Sequence, residues 1–310
     1  MRQPDHFYRR MLDWTVSSVG IGTYLGAMDD ATDRSYTDAL IAAGENGINL
    51  FDCAINYRHE RSERNIGAAL KHLRREDIVV CTKAGFVIGP ARGAEPGDIV
   101  GGMHCMSPDF LSDQIERSRA NLGVDTIDVF YVHNPETQLG YMPPDVVDQR
   151  LRAAFMRLEQ LVGQGKIRYY GVATWDGLHK RKLSVPRLVE FATEAGGAQH
   201  HFRFIQLPIN FAMVDAFVDG VLDAATHNGI AAVASASLMQ TRVLKHMPDG
   251  VAALLPGLET DAQRAIQFTR STPGISVALV GMSKREHVLE NVGVARVPPL
   301  TRGEYMRFFA

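Results

Sequence analysis

The chain of 310 residues is poor in cysteine, with three, and in tryptophan, with two. Cys53, Cys81 and Cys105 are odd in number, and their spacing fits neither a disulfide framework nor a zinc site. Reduced thiols in a reducing compartment are the simplest expectation, with no metal. Charge of neither sign is in excess: 33 Lys and Arg against 35 Asp and Glu leave a net charge of −2. Nothing there points to nucleic acid or an anionic membrane as partner. No apolar run approaches the ~18 residues a membrane span needs, and the opening MRQPDHFYRR lacks the apolar stretch of a secretory signal. The expected location is the cytoplasm. Linkers and low-complexity tracts are missing too, so residues 1–310 read as one domain, a length that α/β barrels reach.

What the chain does have is a repeated alternation. Eight short, β-branched, nearly continuous apolar runs stand out: VGIG (19–22), INLFD (48–52), DIVVCTK (77–83), IDVFYVH (127–133), RYYGVAT (168–174), FIQL (204–207), IAAVAS (230–235) and ISVALVG (275–281). Such runs suit strands buried on both faces. Helical periodicity follows each of them, at 33–47, 62–73, 107–123, 145–166, 186–196, 215–228, 258–272 and 284–293. Ser107, Pro108 and Gly123 bracket the third helix as cap, first turn and stop. Eight strand–helix units predict a closed (β/α)8 TIM barrel, with an open doubly wound sheet as the alternative. Residues 7–17 predict an N-terminal hairpin, and Thr301 with Glu304 a capped terminal helix. Three strand-to-helix loops are long, at 84–107, 134–144 and 236–257. In a barrel such loops surround the active site.

The strand ends carry the chemistry. Asp52, Lys83 and His133 end the second, third and fourth runs, and Tyr57 follows Asp52 by five residues. Singly these are a helix cap, a solvated charge, a structural histidine and a packing anchor. Jointly, at one barrel mouth, they suit carbonyl reduction. Hydride arriving at carbon leaves an alkoxide that needs a proton donor. A tyrosine, with an ordinary pKa of about 10, gains from an adjacent ammonium. Tyr57 would be the general acid, or the base in reverse, Lys83 its charged neighbour, Asp52 the anchor of Lys83, and His133 the hydrogen bond to the carbonyl oxygen.

With GIGTYLG at the start, GVATW at the fifth strand, IQLPIN at the sixth and GMSKREHVLEN near the end, the tetrad resembles that of the aldo-keto reductases. The resemblance implies a (β/α)8 barrel, NADP(H) as cofactor with NAD(H) as the alternative, and an aldehyde, ketone or matching alcohol as small-molecule substrate. By position it puts Gly22, Thr23 and Tyr24 beside the nicotinamide and substrate, and Thr174 and Gln206 at the carboxamide. It puts Ser235 at the ring face, and Ser283, Lys284, His287, Glu290 and Asn291 at the adenosine end. Ala173–Thr174 stand where the family commonly has Ser-Asn, Ser235 where it commonly has tyrosine, and His287 where an arginine often grips the 2′-phosphate. Tyr24, Phe86, Tyr141 and Trp175 are candidate pocket walls. Two further readings stand beside this one: a nicotinamide-binding regulatory or interaction subunit on the same fold, and a barrel aldolase using Lys83 as a Schiff-base nucleophile. His200 and His201 read as a solvated pair, and Ser62 as a helix start.

Overall fold

An antiparallel hairpin, β1 (Tyr8–Met11) and β2 (Trp14–Ser17), precedes the barrel and closes its lower end. The computed structural model describes residues 2–247 and 249–310; positions 1 and 248, the latter within the 236–257 loop, lie outside the described residues. The barrel strands are β3 (Val19–Gly22), β4 (Leu50–Asp52), β5 (Val79–Ala84), β6 (Ile127–His133), β7 (Ile167–Ala173), β8 (Phe202–Pro208), β9 (Ala231–Ser235) and β10 (Ile275–Gly281). Among the described residues they form one closed parallel barrel, in which β10 returns to pair with β3. The eight predicted strands are all present. Closure disposes of the open-sheet alternative and leaves no free edge.

The covering helices are α1 (Asp30–Glu45), α2 (Arg61–Leu70), α3 (Pro108–Leu122), α4 (Pro144–Gly163), α5 (Val185–Gly196), α6 (Asp215–Val218), α7 (Val221–His227), α8 (Val251–Leu254), α9 (Asp261–Ser271) and α10 (Arg285–Val292), with α11 (Arg302–Met306) at the end. Asp29 caps α1 through the Thr32 amide, and Thr301 with Glu304 form the expected capping box on α11. Gly123 ends α3 in the left-handed region, as predicted, although the Ser107 hydroxyl makes no cap bond. The sixth predicted helix is two, because the chain turns through Gly220 at φ +76° between α6 and α7. None of the described helices is long and apolar enough to cross a membrane.

Strand alternation divides the apolar residues into two cores. One face packs against the helices. The other fills the barrel, with Leu50, Val79, Cys81, Val129, Tyr131, Phe204, Val233, Val277 and Leu279 stacked above Met11 and Val16 of the hairpin. This two-residue period positions the site. Leu50 points inward, so Asp52 does; Val79 and Cys81 point inward, so Lys83 does; Val129 and Tyr131 point inward, so His133 does. All three arrive at the C-terminal mouth.

Candidate active site

Asp52 and Lys83 meet as a buried ion pair. The Lys83 ammonium donates to Asp52 Oδ1 at 2.5 Å and to the Cys53 carbonyl at 2.7 Å, and Gln206 Nε2 donates to Asp52 Oδ2 at 2.8 Å. Burial disfavours the Lys83 ammonium, but Asp52, and behind it Tyr57, outweigh burial and hold the lysine cationic, above its ordinary value. Removing either partner would strand a charge in the barrel.

Tyr57 reaches the mouth by a turn, since β4 ends at Asp52. The Cys53 and Ile55 amides donate to the carbonyls of Cys81 and Lys83, carrying the chain across the top of β5. Arg58, His59 and Glu60 then lie consecutively in the left-handed region, at φ +50°, +50° and +67°. That conformation costs roughly 1–2 kcal/mol per L-residue. Arg58 opposes the cost. Its buried side chain donates to the Ala27 carbonyl at 2.9 Å, to Asn65 Oδ1 at 2.9 Å and to Asp33 Oδ1 at 2.5 Å. Glu60 is held by Arg64 and Arg117. Ser62 is not the helix start, because Arg61 already begins α2; its hydroxyl instead donates to the Thr23 carbonyl at 2.7 Å and ties α2 to the first barrel loop. The result sets the Tyr57 ring 4.9 Å from the Lys83 ammonium, 4.9 Å from the Tyr24 ring and 5.8 Å from the His133 ring. The expected lowering of the phenol's pKa is not the net outcome. Burial pushes the Tyr57 phenol up, Lys83 opposes it, and the balance stays upward.

His133 is neutral. Burial, Lys83 and His104 together hold its imidazole well below the ordinary range. Its Nδ1 is buried without a hydrogen-bond partner. Phe86 stands edge-on to it at 5.1 Å and 90°.

The remaining expected residues fall into two groups. Around the tetrad, the Thr23 hydroxyl donates to the Asp52 carbonyl at 3.1 Å, Gly22 ends β3 beside it, and Thr174 follows β7 with a buried Oγ1 that has no partner. Gln206 is in place, but its amide nitrogen is engaged on Asp52. Tyr24 after β3, Tyr141 on the 134–144 loop and Trp175 after β7 are exposed, and Phe86 on the 84–107 loop is half-buried. At the other end, Ser235 is half-buried on β9, while Lys284, His287 and Glu290 are exposed along α10 and its start. The Ser283 carbonyl accepts from Ser35, and Asn291 is buried with an unpaired Oδ1. Unpaired polar atoms at Thr174 and Asn291, with cations at Lys284 and Arg285, fit a dinucleotide laid from the mouth to α10.

Sequence reasoning missed several supporting groups. Glu63 is buried inside α2, accepting from Thr82 at 2.6 Å and Asn121 at 2.8 Å. Glu136 is buried and accepts the Trp175 amide at 2.7 Å, joining the loops after β6 and β7. His104 lies under His133. Their contacts are distant in sequence, and no local pattern marks them. His200 is buried rather than solvated, and His201 pairs with Glu159 at 2.8 Å. All three cysteines are free and buried, with burial pushing each thiol up. No cluster of metal-ligating side chains occurs among the described residues.

The sequence profile of the aldo/keto reductase family matches residues 18–251. The chain belongs to the aldo/keto reductase family. It is 33% identical over 178 residues to the NADH-specific methylglyoxal reductase of Escherichia coli, which covers 55% of this chain and 52% of that enzyme. It is 26% identical over 307 residues to a putative voltage-gated potassium channel subunit beta of Schizosaccharomyces pombe, covering 89% and 84%. The chain thus spans about half the length of the bacterial reductase and most of the channel subunit. Among solved structures, the glycerol dehydrogenase of Gluconobacter oxydans superposes with a TM-score of 0.76 at 21% identity, covering 99% of this chain and 95% of that one. An aldo/keto reductase of Klebsiella pneumoniae, in complex with NADP and acetate, does so at 0.70 and 20%, covering 99% and 94%. At these identities the likeness concerns the fold.

Proposed function

We propose that this chain reduces an aldehyde or ketone, or oxidises the matching alcohol, with Tyr57 as general acid and base. The observation that carries the reading is the buried Asp52–Lys83 pair directly beneath Tyr57 and beside a neutral His133. In the reductive direction Tyr57 donates its phenolic proton to the carbonyl oxygen as charge develops there. Lys83 stabilises the phenolate left behind, and Asp52 keeps the lysine charged and fixed. His133, being neutral, hydrogen-bonds the same oxygen and orients it. The nicotinamide, when bound, supplies or accepts the hydride. Tyr24, Phe86, Tyr141 and Trp175 form the walls against which the organic part of the substrate packs.

NADP(H) is the proposed cofactor, with NAD(H) as the alternative. Lys284 and Arg285 favour a 2′-phosphate, and one solved relative in fold is described with NADP; another relative is named as NADH-specific. Thr174 and Gln206 would hold the carboxamide, Gly22, Thr23 and Ser235 would border the ring, and Ser283, Lys284, His287, Glu290 and Asn291 would hold the adenosine end. The chain acts as one domain, in the cytoplasm and on a small molecule, without nucleic acid or membrane.

Titration with NADPH and NADH, followed by turnover of a panel of aryl and alkyl aldehydes, tests the reading. It predicts binding of at least one nucleotide and turnover of at least one carbonyl. A second reading has its own support, in the broad match to a channel subunit: a nicotinamide-binding regulatory subunit, for which binding would occur without turnover. The aldolase reading loses support, because a Schiff-base nucleophile needs a neutral amine and Asp52 holds Lys83 charged.

A further inference from the structure

We infer that His104 is a positioning residue for His133, and that a hydrogen-bond relay through Gln138 to Arg150 fixes it. The inference rests on the proposed role of His133. His104 is fully buried, and its Nε2 lies 2.8 Å from the His133 carbonyl oxygen. A carbonyl only accepts, so Nε2 carries the proton. Its Nδ1 faces Gln138 Nε2 at 3.1 Å and must accept. The Gln138 amide is oriented in turn, because its Oε1 accepts from Arg150 at 3.2 Å. Arg150 also donates to the carbonyls of Asp98 at 2.9 Å and Gly97 at 2.7 Å. Every bond in the series therefore has one direction, and it ends on the backbone of His133.

The location explains the need. β5 stops at Ala84, opposite Val132, so His133 lies one residue past the end of that ladder. A Cβ on Gly85 would sit 2.4 Å from the His133 oxygen and 2.8 Å from His104 Nε2. Only glycine leaves room for the contact. Phe86 is wedged between the two imidazoles, 5.4 Å and 5.1 Å from their centroids and nearly perpendicular to both. The 84–107 loop supplies His104 and Phe86, and the segment after β6 supplies Gln138. Burial holds His104 below its ordinary value, consistent with a neutral ring that bonds at both nitrogens. The relay thus joins two mouth loops to the backbone that carries the substrate-facing imidazole.

Two substitutions separate its arms. His104→Gln places an amide nitrogen near the Nε2 position and keeps the donor to the His133 carbonyl. His104→Asn keeps an acceptor for Gln138 near the Nδ1 position and loses that donor. Expected is kcat within about threefold of wild type for His104→Gln and at least about tenfold lower for His104→Asn, with equal cofactor Kd; Tm should stay near wild type in His104→Gln and fall by about 2–5 °C in His104→Asn, where the His133 carbonyl is left buried without its donor. Equal kcat in the two variants, or losses that follow Tm alone, would overturn the relay. Long-range 15N NMR of the wild-type ring gives a readout that needs no turnover. His104 should remain a single Nε2–H tautomer across the ordinary histidine range, about 6.5; titration there would overturn the inference. A wild-type protein without turnover but with this signature would refute the proposed function and leave the relay standing.

Discussion

Replacing Lys83 with methionine removes the cation from beneath Tyr57 and leaves Asp52 buried in the barrel. The side chains of the pair are 0% and 5% exposed, so neither has water to fall back on. After the substitution Gln206 is the side-chain donor left on the carboxylate. Breaking a buried pair on one side costs about 3–5 kcal/mol, a decrease in Tm on the order of 5–10 °C for a domain of this size. The loss should depend on pH in a definite direction. Burial raises the Asp52 carboxyl in the folded state, and without Lys83 nothing charged opposes it. A folded pKa above the unfolded one means that the folded state holds the proton more tightly. Stability is then fully present below the unfolded carboxylate value, about 3.9, and is lost as pH rises through the folded one. The deficit of Lys83→Met relative to wild type should therefore widen from acid towards neutral pH. The double variant Asp52→Asn/Lys83→Met removes the stranded charge and should recover most of the stability while remaining inactive. Thermal and urea unfolding across pH, beside nucleotide-linked turnover, read both effects. Wild-type stability in Lys83→Met at neutral pH, or turnover regained in the double variant, would refute the reasoning.

Three other outcomes follow from the same geometry. Thr174→Val removes a buried hydroxyl without a partner, so the free protein should be no less stable while cofactor Kd rises about 3–10-fold, measured by calorimetry. Gly85→Ala forces a methyl against the His133 carbonyl and His104; unfolding should show about 1–3 kcal/mol of destabilisation, and turnover should fall with it. His133 is held neutral by burial, so the wild-type pH–rate profile should lack an acid limb at the ordinary imidazole value of about 6.5; a limb there would mean that His133 titrates.

The barrel was legible because it repeats. Apolar runs of strand length, each followed by a helical period, predict parallel βα units, and the inward parity of Leu50, Cys81 and Tyr131 carries Asp52, Lys83 and His133 to one end. What was not legible depends on burial and on distant contacts. Ser62 looks like a cap but bonds the Thr23 carbonyl from within α2. The charged run Arg58–His59–Glu60 gives no sign of three successive left-handed residues, whose geometry Arg58 holds through Ala27, Asp33 and Asn65. His104 and Gln138 are polar residues in loops, and only the folded chain reveals that they meet. The direction of the Tyr57 shift also turned on burial, which outweighs the ammonium beneath it.

The central claim is that Tyr57 moves the proton, and Tyr57→Phe tests it most directly. The substitution keeps the ring packed between Tyr24 and His133 and removes only the hydroxyl. Nucleotide binding followed by fluorescence should be nearly unchanged, while kcat for every reducible carbonyl falls about 10²–10⁴-fold. A Tyr57→Phe protein that binds nucleotide and retains most of its turnover would contradict the account.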